Sequence, residues 1–264
     1  MRTNKYPSDM TEEQWDLIRP MLPKRRKNKA GRPVEVSRRD LIDAILYLAR
    51  TGCQWRMLPK DFPPWGTVSS QFYRWRKNGL WEKMHHTLYG QARNSEGRDA
   101  KPTAGIIDSQ SVKTTEQGGE RGYDAGKKIS GRKRHLMVDT LGLLIAVVVT
   151  AASVQDYDGA MAVFAKSKER FRGLKHCWAD SIYGCKNLVS RVWCMFRFVL
   201  EIVKRPIGSK SFVLLHRRWV VERTFAWLGR SRRLSKDYER TISSSETMVH
   251  IAMIQVMLRR LRPV

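Results

Sequence analysis

The stretch from Leu143 to Ala152, "LLIAVVVTAA", constrains this chain more than any other. It is nearly all apolar and rich in β-branched residues, which suits a buried strand, and it falls well short of the roughly 20 residues that a membrane-spanning helix needs. A strand of that kind needs a sheet with cover on its faces. The surrounding sequence supplies both. "TAGIID" (Thr103 to Asp108) reads as an apolar strand that stops at an aspartate, and "RKRHLMVDT" (Arg132 to Thr140) pairs with the apolar run through a turn at Leu141-Gly142. "DGAMAVFAKSKERF" follows as an amphipathic helix, with Asp158 before "GAMAVF" as its N-cap. "LKHCWADSIYG" (Leu174 to Gly184) is a second strand that stops at an aspartate, Asp180. Then come a helix around Asn187 to Met195, a last strand "RFVLEIV", and the helix that carries Glu222. The order β-β-β-α-β-α-β-α predicts an α/β fold with a mixed sheet and helices on its faces.

Before Ala104 the pattern is helical. "SDMTEEQWDLI" opens with a Ser or Asp cap, has Glu12 and Glu13 in its first turn, and ends near Pro23. A linker with six Lys or Arg between Lys24 and Arg32 follows. A second helix, about Ser37 to Thr51, is closed by Gly52, and a third, about Val68 to Lys77, interleaves Phe72 and Trp75 with Arg74, Arg76 and Lys77. A further helix runs through His85. Two helices, a turn and a basic aromatic helix resemble a helix-turn-helix reader, so Arg74, Arg76 and Lys77 are candidate DNA contacts. The expected division is a helical DNA-binding part with its basic linker, residues 1–93, and an α/β catalytic part, residues 94–264.

Charge narrows the partner. Fifty Lys and Arg against 25 Asp and Glu give a formal charge of +25. Such a chain repels itself unless a polyanion accompanies it, and nucleic acid is the expected one. No basic amphipathic helix or long apolar span suggests a membrane, and "MRTNKYPSDM" shows no apolar leader. The four cysteines form no CxxC pair and the six histidines show no ligand spacing, so zinc is not expected and the thiols are expected free in a reducing cytosol. "EQGGERGYDAGKKISGRKR" has no phosphate-loop spacing. It reads as a flexible basic loop whose Lys127 and Lys128 would track DNA backbone.

Three carboxylates then belong together. If the strands ending at Asp108 and Asp180 lie parallel and adjacent, both side chains emerge at one sheet edge, where a bare pair would repel. Divalent Mg²⁺ or Mn²⁺ relieves that repulsion and takes phosphate oxygens as further ligands; a third carboxylate completes a two-ion set for in-line displacement at a phosphodiester. Glu222 is the candidate. In "RRWVVERTFAWLGRSRRL" (Arg217 to Leu234) the apolar residues fill one arc, and Arg218, Glu222, Ala226, Gly229 and Arg233 share the opposite stripe. Arg218 and Arg233 would grip phosphates on either side of the bond being broken. The blander reading, an Arg218–Glu222 pair on a solvated helix, contributes only a few tenths of a kcal/mol. Asp139, Asp156 and Asp158, near strand or helix ends, are read as structural.

The stretches "IIDSQSVKTT", "RGYDAGKKISGRKRHLMVDTLGLL", "WADSIYG" and "RRWVVERTFAWLGRSRRLSKDYE" resemble the bacterial transposases of the insertion-sequence-five family, and "YPSDMTEEQWDLIRPMLP" with "GCQWRMLPKDFPPW" resembles their N-terminal helical domain. The resemblance implies a DDE enzyme with a retroviral-integrase-like (RNase H-like) catalytic domain, with Asp108, Asp180 and Glu222 as catalytic triad and metal ligands. The related pattern Arg-x3-Glu-x6-Lys/Arg is met by Arg218 and Glu222; the seventh position beyond Glu222 is Gly229, and the nearest base is Arg230. The short separation of Asp180 from Glu222 implies a triad without a β-rich insertion. Also implied are a homodimer on paired element ends, double-stranded DNA as end and target, and a place on the bacterial nucleoid in the cytoplasm. A two-metal nuclease without strand transfer and a non-enzymatic DNA-binding relic are the alternatives.

Overall fold

A computed structural model describes residues 6–23, 36–184, 187–204 and 216–263. The basic linker from Lys24 to Arg32 and Cys185 lie outside the described residues.

Helix α1 (Glu12–Ile18) starts at Thr11 rather than at Ser8 or Asp9, because Thr11 and Gln14 form a reciprocal capping box. Asp9 accepts the Tyr6 N–H instead. Helix α2 (Arg38–Thr51) ends at Gly52, whose φ of 72° is the left-handed turn that glycine tolerates. Helices α3 (Trp65–Lys77) and α4 (Leu80–Ser95) follow. Residues 52–64, with a 3-10 turn at Trp55–Met57, separate α2 from α3. That connection is longer than the 3–4-residue turn of a helix-turn-helix.

The sheet contains β1 (Ala104–Lys113), β2 (Gly122–Asp124), β3 (Ile129–Val138), β4 (Leu144–Ala151), β5 (His176–Ala179) and β6 (Val199–Ile202). The path β2-β3-β1-β5-β6 is hydrogen-bonded in sequence, and β4 pairs with β3. Strands β1, β3 and β4 are antiparallel neighbours, whereas β1, β5 and β6 run parallel. Residues 144–149 of β4 are buried, as its composition requires. Asp139 and Gly142 make the β3–β4 turn: Asp139 accepts the N–H groups of Leu141 and Leu143, and Gly142 has a φ of 80°. Helix α5 (Asp156–Arg170) packs on β3 and β4, with Gln155 rather than Asp158 at its N-cap because the helix begins three residues earlier than that cap implies. Helix α6 (Leu188–Phe196) packs on β6, and α7 (His216–Gly229) on β1, β3 and β5.

After α7, where the sequence patterns predict no further element, α8 (Ile242–Leu261) follows and is buried around much of its circumference. Val249, Ile251, Ala252, Met253 and Ile254 contact no solvent beyond 2%. A helix buried around so much of its circumference belongs inside a structure, and α8 packs against α2, α4 and β4. It thereby joins the N-terminal helices and the sheet in one continuous core.

Beside α8 the fold encloses titratable rings. His250 lies 4.8 Å, ring to ring, from His85 of α4, and Arg170 of α5 reaches His85 and His86. Burial, then the charges of Arg170 and Lys166, hold His250 down to about 3. Burial holds His135 down to about 4, opposed by Asp156 and assisted by Lys133 and Lys127. Unfolded histidine titrates near 6.5, so below that pH the unfolded chain binds protons that the folded chain refuses. The stability these two histidines permit is therefore full above about 6.5 and declines as pH falls toward 4, against an opposite and smaller contribution from Asp108. Urea midpoints measured from pH 7 to pH 5 are expected to drop, and His250→Gln should flatten the slope.

Candidate active site

The parallel register of β1 and β5 sets Ile106 beside Trp178. Asp108 and Asp180 each lie two residues further along, so the same register carries both toward one edge. Strand β5 ends at Ala179, and Asp180 turns the chain into a 3-10 segment, its Oδ1 accepting the Ile182 N–H at 3.0 Å. Strand β1 does not stop at its aspartate as the sequence suggested. Asp108 pairs with Leu136 within a β1–β3 ladder that continues to Lys113, so only β5 gives way at this edge.

Burial pushes the Asp108 carboxyl up to about 6; the Ser109 N–H, 2.7 Å from Oδ1, opposes the rise, the Asp180 charge adds to it, and Arg218 and Lys127 oppose it. The two aspartates thus sense each other. Tyr183, buried, is pushed well up by burial and then by Asp108, Asp156 and Asp180.

Helix α7 brings the third carboxylate. Val221, Thr224 and Leu228 face inward, and the Thr224 hydroxyl donates to the Gly142 carbonyl at 2.8 Å. Glu222 lies on the outer face with its side chain 51% exposed. Arg218, one turn earlier, places Nη2 3.6 Å from both Asp180 Oδ2 and Glu222 Oε1. These are ion-pair distances without hydrogen-bond geometry, on partly exposed groups, and contribute little to stability. Their importance is positional, since one guanidinium connects two of the three carboxylates.

The other arginines divide by partner. Arg217 stacks over Trp178 at 4.4 Å, and Arg223 lies 4.6 Å from the Trp219 ring and 4.7 Å from that of Trp227. Arg230 is exposed. Arg233 corrects the sequence reading: α7 ends at Gly229, where Arg230 and Ser231 bond back to Trp227 and Leu228, so the stripe carrying Glu222 never reaches residue 233. Arg233 is instead buried, with Nε 2.8 Å from Glu239 and Nη1 3.1 Å from the Cys53 carbonyl.

The basic stretch around Lys127 and Lys128 forms the β2–β3 hairpin rather than a free loop. Lys127 reaches the Ser109 carbonyl beside Asp108, and Lys128 is exposed with a φ of 53°. Arg74 and Lys77 are exposed on α3, whereas Arg76 donates to Thr241 and Ser243 at the start of α8. Beside the aspartates lies a buried network that the sequence pattern barely announces: Lys133 pairs with Asp156 at 2.9 Å and Asp124 at 3.3 Å, while Ser109 donates to Asp156 and Ser111 to Asp124. Its only sequence signal is the lysine in the middle of a strand.

Among the described residues no group of three or more His, Cys, Asp or Glu side chains is arranged to hold a metal ion. The pair Asp108 and Asp180 nevertheless fits a hard divalent cation. Both donors are carboxylates, and their mutual repulsion is what such an ion removes. Glu222 fits as a further oxygen donor only after it parts from Arg218.

Sheet order and register define a mixed α/β domain that carries two aspartates toward one edge. Residues 99–257 match the family model "Transposase DDE domain", and residues 10–85 match "Putative transposase of IS4/5 family". Among curated proteins, the chain is 31% identical over 116 residues to the "Insertion element IS402 uncharacterized 16.2 kDa protein" of Burkholderia cepacia, spanning 42% of this chain and 77% of that one. It is 32% identical over 83 residues to the uncharacterized protein y4sN of Sinorhizobium fredii, spanning 31% of this chain and 65% of that one. The chain belongs to the DDE transposases, in the IS4/5 group of insertion elements. Membership implies the RNase H-like fold, with which the strand order agrees. No described helix is long and apolar enough to cross a membrane.

Proposed function

We propose that this transposase binds the inverted ends of its own insertion sequence, cleaves DNA there, and joins the freed 3′-OH to target DNA, with Asp108, Asp180 and Glu222 as its catalytic carboxylates. The observation that carries this reading is the parallel β1–β5 register, which brings Asp108 and Asp180 to the edge over which α7 presents Glu222. Mg²⁺ or Mn²⁺, two ions in this reading, would be held by these carboxylates and would supply Lewis-acid activation of water and phosphate.

The chain's own residues orient the DNA. Arg218 holds Asp180 and Glu222 in one neighbourhood and is placed to pass to a phosphate when that pairing is relieved. Lys127 adds positive charge on the Asp108 side. Exposed Arg74 and Lys77 on α3, with Lys128 and Arg230, offer phosphate or groove contacts. Hydrolysis leaves a 3′-OH, and the same carboxylates serve its attack on target DNA, with no covalent enzyme intermediate. A homodimer holding paired ends on the bacterial nucleoid, in the cytoplasm, completes the proposal.

The test incubates the purified chain with labelled DNA carrying the flanks of its own gene. Cutting at the ends should appear with Mg²⁺ or Mn²⁺ and vanish in EDTA. Cleavage that persists in EDTA would overturn the metal chemistry, and end binding without any cleavage would favour a DNA-binding relic.

A further inference from the structure

A groove of about 1170 Å³ opens between the N-terminal helices and the far end of β1. Trp65 and Tyr73 of α3 line it together with Tyr123 of β2, and these rings are 44%, 43% and 56% exposed. The Arg56 guanidinium lies 5.2 Å from the Trp65 ring, and that of Arg76 lies 5.4 Å from the Tyr73 ring. Exposed Lys113, Arg121, Lys128, Lys236 and Arg240 share the lining with Arg56. Two acids oppose them, and one, Glu239, is already paired with Arg233.

We infer that this groove holds an unpaired DNA strand, its bases stacked on Trp65, Tyr73 and Tyr123 and its phosphates on the surrounding cations. The inference rests on the transposase reading and extends it to a strand-opening site apart from the carboxylates. The charge excess selects a polyanion. The aromatic rings select its form. A duplex hides its base faces within the stack and presents edges and phosphates, so ring faces inside a concave groove find no partner on it, whereas every unpaired base offers one. Position fits as well. Lys113 stands five residues along β1 from Asp108, about 17 Å at strand spacing. At the 3.4 Å rise of paired DNA, an end still duplex at the carboxylates reaches the groove after about five nucleotides. End DNA would therefore be opened at about that distance from the cut.

The experiment is fluorescence anisotropy on the full chain without metal, using a short labelled oligothymidylate and a blunt duplex of equal length. Trp65→Ala combined with Tyr123→Ala should weaken single-strand binding by about 10-fold or more and leave the duplex within about 2-fold. Phenylalanine at both positions should preserve binding. Tyr123→Ala alone, on an exposed hairpin, should give a smaller loss with unchanged circular dichroism. Unchanged single-strand affinity, or equal losses on both DNA forms by a folded variant, would overturn the groove. Asp108→Asn should bind the strand normally. A chain that cuts its ends but ignores oligothymidylate refutes the groove and leaves the transposase reading standing; one that binds the strand and never cuts does the reverse.

Discussion

Asp108→Asn is expected to lower end cleavage by about 10³-fold or more while leaving end binding nearly unchanged, because it removes one catalytic charge at almost constant volume. The same substitution should not unfold the protein. Asp108 carries a folded-state carboxyl pushed up to about 6 by burial, against about 3.9 when unfolded. Its ionised form is therefore disfavoured by folding, a penalty absent at low pH and fully present once pH exceeds about 6. At neutral pH asparagine removes that penalty, so the melting temperature should hold or rise. Parallel cleavage gels and thermal melts make the comparison. An Asn variant that still cuts at the natural rate would remove Asp108 from the chemistry, and one that loses activity only by unfolding would leave its role unproved by this route, in which case Asp180→Asn supplies the second reading of the same edge.

Asp139→Ala should be among the most destabilising single changes in the molecule, by about 3–5 kcal/mol. Asp139 is fully buried, ion-paired with Arg93 of α4, and accepts the Tyr89 hydroxyl at 2.9 Å and the backbone N–H groups of Leu141 and Leu143 at 2.9 Å. Truncation strands a buried guanidinium, a buried phenol and two turn amides together, and each loses a partner that water cannot replace. Arg93→Met in the Asp139→Ala background should recover part of the loss, since the unpaired charge is then absent. Urea unfolding of the two single variants and the double variant measures this. A loss below about 1 kcal/mol for Asp139→Ala would show that the turn and α4 are not tied by this carboxylate. In the sequence Asp139 is only a residue near a strand end. Its weight comes from Arg93 and Tyr89, which are brought to it by α4.

Much of the architecture was legible because its determinants are local. The β-branched run at 143–152 could be little other than a buried strand, and β3, β4, α5 and β5 follow from periodicities that need no distant partner. Asp180 at the end of β5, and the inward arc of Val221, Thr224 and Leu228 opposite Glu222, were equally readable. Helix α8 shows the limit. It is buried on most faces, with Ser244, Ser245, Thr247 and His250 buried among its apolar residues, so no amphipathic stripe marks it, and its place against α2, α4 and β4 exists only in the assembled fold.

Helical and strand periods and residue charge are properties of short segments, so most element types and the α/β class are readable from the chain alone, with Asp108, Asp180 and Glu222 as candidates for one site. What each charge meets depends on the assembled fold. Arg218 stands between two carboxylates, Arg223 lies against two tryptophans, and Arg233 turns inward to Glu239, although one short helical stretch and its exit carry all three. Lys133 likewise finds Asp124 and Asp156 only after β2, β3 and α5 converge. An arginine's side chain has the same reach and charge in every setting; whether it takes a carboxylate, an aromatic face or solvent depends on residues that folding brings within a few ångströms, and no local pattern encodes them.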